Sequence, residues 1–224
     1  MKEKSLTTKV ISITMLILFQ QIYVYLIAFI VGLLNIPIPK GPTFLWIFNM
    51  VVNFSFMILM LFLFIRTIQE DYYDFKTNFK KYLNENIKYW MIGLGLMILS
   101  NLFIYMIYRT GASNEEVVQE TIKKFPIYMI FATVFYAPFV EELIYRKAIN
   151  YLFTNDIIYI IASGLLFGGV HILTNPNQYL YIIPYGVVGS MFAIMYTKTR
   201  NVFVPMTFHF IHNTMILMMS LLLR

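Results

Sequence analysis

Two adjacent acids, one arginine and three histidines interrupt apolar runs that otherwise lack ionisable side chains. Glu141 and Glu142, in Pro138-Phe139-Val140-Glu141-Glu142-Leu143-Ile144-Tyr145-Arg146, are the only two of eleven Asp and Glu to fall inside such a run. A charged side chain at the bilayer centre costs about 2.5–3.5 kcal/mol on insertion scales, so an intramembrane acid reads first as functional. Neighbours on a helix point about 100° apart, so the two cannot share one task. Arg146 stands four residues after Glu142 and shares its face. The simplest division pairs Glu142 with Arg146 structurally and leaves Glu141 for chemistry. The plain alternative is that both acids are packing polar groups.

All three histidines lie in the last third of the chain. His171 ends Phe167-Gly168-Gly169-Val170-His171. The other two stand in His209-Phe210-Ile211-His212-Asn213, where His209 and Asn213 share a helix face and His212 lies beside it. A lone helical His is more often a satisfied core group, and that reading suits His212. Three His with two Glu ask for more. Glu and His can hold and activate a water, and His and Asn can donate hydrogen bonds to a developing oxyanion. That is equipment for amide hydrolysis. Glu141, His171 and His209 could also hold a Zn2+ with one open position. H-E-x-x-H is absent, so such a site would be assembled from different helices.

The elements that must position these groups are membrane spans. Of 224 residues 59% are hydrophobic and 12% charged, with mean hydropathy +0.70. Soluble domains carry about 25% charged residues. Disordered, collagen-like and nucleic-acid-binding classes are excluded. With no Cys there is no disulfide framework, thiolate site or Cys nucleophile. Charge-free runs and the turn at Asn175-Pro176-Asn177 divide the chain into spans near 10–34, 44–65, 89–108, 126–152, 157–173, 179–197 and 202–223. The expected fold is all-α: a polytopic membrane helix bundle of about seven transmembrane helices. Residues 1–125 supply the N-terminal spans and connecting helices, and 126–224 a core, as one integrated membrane domain. The first run is long for a signal peptide and reads as a retained anchor.

With the N-terminus inside, twelve of seventeen Lys and Arg fall on inner segments, including Lys2, Lys4, Lys9, Lys76, Lys80, Lys81 and Lys88. This bias predicts an N-terminus in the cytoplasm and a C-terminus outside. The net charge of +6 is then cytoplasmic anchoring. Arg66–Lys88 reads as an amphipathic helix on the inner surface. Ser113 with Glu116 fits a capping box opening a short helix over Thr110–Lys124. Gln20, Gln21, Asn49 and Asn53 suit interhelical bonding, and Gly164 with Gly168 close helix packing. Pro138 and Pro205 predict kinks beside the candidate site.

At Glu141-Glu142-x-x-x-Arg146, Phe167-x-x-x-His171 and His209-x-x-x-Asn213 the sequence resembles the CPBP intramembrane proteases, the CAAX prenyl protease and bacteriocin-processing family also called Abi. Order and spacing match across roughly 126–220. The resemblance implies a membrane endopeptidase in which Glu141 is the general base on a water, helped by His171. It further implies that His209 and Asn213 stabilise the oxyanion, Glu142 and Arg146 support the first motif, and Phe167 lines the site. It leaves metallo- and glutamate-type mechanisms both open, and gives His212 no role. The implied partners are the lipid bilayer and a membrane-associated protein or peptide cut from the cytoplasmic side, in a bacterial plasma membrane. A non-enzymatic binding or bacteriocin-immunity protein on the same scaffold is the alternative, and a proton-relay transporter a weaker one. One condition must be met. In straight spans Glu141 and His171 sit deep, whereas His209 lies about 10 Å from the inner surface, and the three must converge.

Overall fold

The computed structural model describes residues 5–36, 41–173 and 175–222. Lys2, Lys4, Lys40 and Arg224, which enter the charge balance, lie outside them. Among the described residues seven helices follow in order: α1 (Leu6–Leu33), α2 (Pro42–Tyr108), α3 (Ser113–Lys124), α4 (Pro126–Ala148), α5 (Asp156–His171), α6 (Ile182–Thr199) and α7 (Phe203–Leu222). A 3-10 segment, Pro176–Tyr181, leads into α6. There is no strand among the described residues. The all-α membrane class is therefore as expected. Helices α1, α2 and α4 and the segment Pro176–Thr199 are long and apolar enough to cross a membrane. Helix α5 has 16 residues, about 24 Å, and α7 carries polar His209, His212 and Asn213, so a count of seven spans does not follow from length and apolarity alone.

The largest departure from expectation is α2. Residues 44–65, 66–88 and 89–108 form one 67-residue helix without intervening ends. Straight, it would run about 100 Å. It cannot be straight. The Trp46 ring lies 4.8 Å from Phe125 and the Tyr108 ring 5.9 Å from Tyr181. Those anchors are bridged by α3, about 18 Å long, with Ser113 Oγ bonded to Gln178 at 2.8 Å. Contacts divide the bent helix into three limbs. The first packs on α1 and α4, through Phe56 against Phe19, Tyr23 and Tyr136. The middle limb crosses beneath the α6–α7 turn, with Phe75 on Phe203. The last climbs along α6, where a Cβ on Gly93 would meet Met191 at 2.7 Å. The expected limbs are kept and their expected breaks are not.

The middle limb also does more than present a solvated face. Asn201 donates Nδ2 to the Asp71 carbonyl at 2.6 Å and to Asp74 Oδ2 at 2.7 Å, while Val202 N–H donates to Asp71 Oδ2 at 3.0 Å. Lys147 Nζ lies 3.6 Å from the same carboxylate. These bonds latch α2 and α4 to the turn that starts α7. Buried backbone there has few other partners, so the side chains supply them.

Three further expectations are corrected or refined. Ser113 is the first residue of α3, not its cap: Ala112 precedes the helix, and Ser113 donates both N–H and O–H to Gln178 Oε1. Pro205 is the third residue of α7, where its missing N–H has no intrahelical carbonyl to lose, so it makes no kink. Pro138 follows a π-helical stretch, Phe131–Tyr136, and a second one, Glu142–Ala148, follows Glu141. The glycine expectation holds. A Cβ on Gly164 would lie 2.8 Å from the Gly186 carbonyl oxygen, and one on Gly168 2.6 Å from that of Ile182, so α5 and α6 touch backbone to backbone.

Candidate active site

Four helices bring the predicted residues together. Glu141, Glu142 and Arg146 come from α4, Phe167 and His171 from α5, and His209, His212 and Asn213 from α7, with Phe192 and Tyr185 of α6 behind the rings. The three nevertheless converge: Glu141, His171 and His209 line one cavity, and Glu141 Oε2 lies 3.9 Å from His209 Nε2.

Beneath the site lies a fully buried ion pair. Glu142 and Arg146 are each 0% exposed, with Arg146 Nε 2.8 Å from Glu142 Oε2 and Nη2 3.1 Å from Oε1. Arg146 Nη1 donates to Ser163 Oγ, whose hydroxyl donates on to the Tyr145 carbonyl. The guanidinium lies over the Phe167 ring at 4.8 Å. A buried charge pair is tolerated only when its remaining hydrogen-bonding capacity is met, and this one is nearly closed. The remaining contact is one the sequence did not suggest: His209 Nδ1 lies 2.8 Å from Glu142 Oε1. A carboxylate oxygen accepts, so that nitrogen is the donor, and Glu142 orients His209 as the acid of a triad orients its imidazole. Only the i,i+4 partner is visible in a sequence; a contact 67 residues away is not.

Glu141 is placed differently. Its Oε2 is buried without a hydrogen-bond partner, 3.9 Å from His209 Nε2. That is too long for a direct hydrogen bond, yet one water oxygen could touch both atoms. His171 donates Nδ1–H to the Phe167 carbonyl at 2.8 Å, which leaves Nε2 free to accept. Its ring stacks on Tyr185 with centroids 4.5 Å apart. Asn213 donates Nδ2 to the Thr133 carbonyl at 2.7 Å, inside the first π-helical stretch. Thr133 contributes its backbone carbonyl there, a partner that residue type does not signal. His209 is stacked on Phe192 at 5.0 Å.

Glu141, Phe167, His171, His209, His212 and Asn213 all line one cavity of about 280 Å³. It runs along α7 from His209 to Ser220, toward α3, whose Asn114, Glu115 and Val118 form its far wall. Glu142 and Arg146 stay behind the wall. For the Zn2+ expectation at Glu141, His171 and His209, no three His, Asp or Glu side chains gather with metal-holding geometry among the described residues, and both His Nδ1 atoms are already engaged.

Residues 123–215 match the sequence model of the type II CAAX prenyl endopeptidase Rce1-like family. Over these residues, less than half of the chain, the sequence is similar to that family. It is also similar to the membrane-embedded CAAX protease MroQ of Staphylococcus aureus, at 27% identity over 158 residues, which cover 64% of this chain and 60% of MroQ. To YdiL of Bacillus subtilis it is 28% identical over 122 residues, 52% of this chain and 48% of YdiL. The chain thus spans about half the length of the curated relatives it matches. No solved structure matches it significantly. The Rce1-like segment begins at the end of α3 and takes in every residue of the site. The four long apolar helices and the similarity to a membrane-protease family together support an integral membrane protein.

Proposed function

We propose that the protein is an intramembrane endopeptidase that hydrolyses a peptide bond of a membrane-associated protein or peptide in a bacterial plasma membrane. One observation carries the reading: Glu141, His171, His209 and Asn213, from three helices, line a single cavity in which Glu141 Oε2 is buried and unpartnered. A buried carboxylate oxygen without a donor is costly, and a reacting water is a donor that would satisfy it.

In this reading Glu141 takes a proton from water as the oxygen attacks the scissile carbonyl carbon, with His171 Nε2 holding the same water. The tetrahedral oxyanion takes hydrogen bonds from Asn213 Nδ2, which has a second N–H beyond the one given to Thr133, and from His209. With Nδ1–H committed to Glu142, His209 can donate from Nε2 only as an imidazolium. Glu141, Glu142, Arg146 and that imidazolium carry no net charge together, which suits a water-poor site. As the C–N bond breaks, Glu141 returns the proton to the leaving amine. A Zn2+ held by Glu141, His171 and His209 would add polarisation of the carbonyl.

The test is cleavage of a quenched hydrophobic peptide library by purified protein in detergent, with Glu141→Gln and a chelator arm. The expected result is cleavage by wild type and none by a folded Glu141→Gln. Equal cleavage by both would remove Glu141 as the base. Loss of cleavage on chelation, restored by zinc, would assign a metallo-type mechanism. Peptide binding without cleavage would favour the binding or immunity role on this scaffold.

A further inference from the structure

The cavity holds a third histidine that the proposed hydrolysis does not use. His212 is 8% exposed, lines the same cavity as Glu141, His209 and Asn213, and has a fully buried Nδ1 with no hydrogen-bond partner. Its position on α7 is informative. Asn213 is tied to Thr133 of α4, on one side of the helix. His212 meets Phe192 of α6 edge-on, at 6.3 Å and 87°, on the other side. Phe192 therefore stands between two imidazoles, stacked on His209 and abutted by His212. Unlike His209 and His171, whose Nδ1 atoms are both engaged, His212 has no partner that fixes its tautomer. A buried imidazole nitrogen left unpaired destabilises the empty protein, whereas an apolar ring of similar shape would not. Its retention needs a partner that arrives with the substrate.

Resting on the peptidase reading, we propose that His212 is a substrate-binding residue that pairs with a backbone amide of the bound peptide beside the scissile bond. A peptide lying along α7 would have its reacting carbonyl at His209 and Asn213. The next peptide unit, displaced toward α6, would meet His212, with the aliphatic wall of Val188 and Ile216 around it. An extended peptide has both an N–H and a C=O to offer there, and a neutral imidazole can serve either.

Three variants test this: His212→Phe removes both nitrogens and keeps a ring, His212→Asn retains a polar atom near Nδ1, and Glu141→Gln provides an uncut protein for binding. The fluorogenic peptide that wild type cuts fastest is used as the probe. His212→Phe should raise KM about tenfold, the equivalent of ~1.4 kcal/mol, with kcat changed far less. Its melting temperature in detergent should equal or exceed that of wild type. His212→Asn should recover most of the KM loss. Unchanged KM with a lowered melting temperature in His212→Phe would make His212 a packing residue and overturn the proposal. If wild type cuts nothing, library peptides retained by Glu141→Gln are compared with those retained by Glu141→Gln/His212→Phe. Retention lost with His212 would uphold the proposal while the hydrolase reading fails. Equal retention by the two, or retention by neither, would overturn it.

Discussion

Glu141 and Glu142 are chemically identical and adjacent, and their surroundings give them opposite parts. Glu142 meets Arg146 and His209 behind the cavity wall; Glu141 reaches the cavity with an unpaired oxygen. Breaking a buried ion pair from one side costs about 3–5 kcal/mol, while replacing both partners with apolar groups of similar volume is often neutral. Arg146→Met should therefore lower the melting temperature sharply, and Glu142→Leu/Arg146→Met should recover much of the loss, as read by thermal unfolding in detergent. Cleavage should not return in the double variant, because His209 then lacks the carboxylate that holds its ring. Recovery of both stability and activity would deny Glu142 its orienting part. The i,i+4 pairing of Glu142 with Arg146 and the i,i+4 pairing of His209 with Asn213 were legible in the sequence because helical periodicity sets them locally. The Glu142–His209 and Asn213–Thr133 contacts were not, since each joins segments more than sixty residues apart.

The elements hold the site through two devices, close glycine packing and a polar latch. Gly168 and Gly169 are neighbours in α5, yet only Gly168 faces α6 backbone, where an added Cβ would come within 2.6 Å of a carbonyl oxygen; Gly169 has nothing within 4 Å. Gly168→Ala should push α5 from α6, displace His171, and reduce both melting temperature and kcat. Gly169→Ala should be neutral or slightly stabilising, since Ala is a better helix former by about 1 kcal/mol. Equal effects of the two would contradict the packing account. At the other end, Asn201→Ala removes two short hydrogen bonds to α2. A loss of about 1–3 kcal/mol is expected from the buried groups left unpaired, with activity falling as the register of α7 against α4 loosens. The composition of 66–88 announced an amphipathic helix correctly. Its continuity with both flanking spans agrees with the absence of Gly and Pro from 66–88, but a bend imposed by tertiary contacts leaves no mark in local sequence.

For the whole molecule, the cavity points from the latch toward α3. With the N-terminus inside, as the Lys and Arg balance predicts, α3 lies on the outer side, so the cavity extends outward. That orientation and a substrate approaching from the cytoplasmic side are then incompatible expectations. The chain has no Cys, so single cysteines report sidedness cleanly. Lys80→Cys and Glu116→Cys, both at exposed positions, should be labelled by an impermeant maleimide from opposite faces of the membrane: Glu116→Cys in intact cells and Lys80→Cys only in inverted vesicles. The reverse pattern would invert the topology and put the cavity toward the cytoplasm. By itself the sequence determined the membrane class and the helical content and named the candidate side chains, because hydropathy, 3.6-residue periodicity and the cost of intramembrane charge all act locally. Only the tertiary structure decided that Glu142 also holds His209, how a 67-residue helix bends around the bundle, and that His212 enters the cavity. Each of these depends on which distant helix supplies the neighbouring atoms.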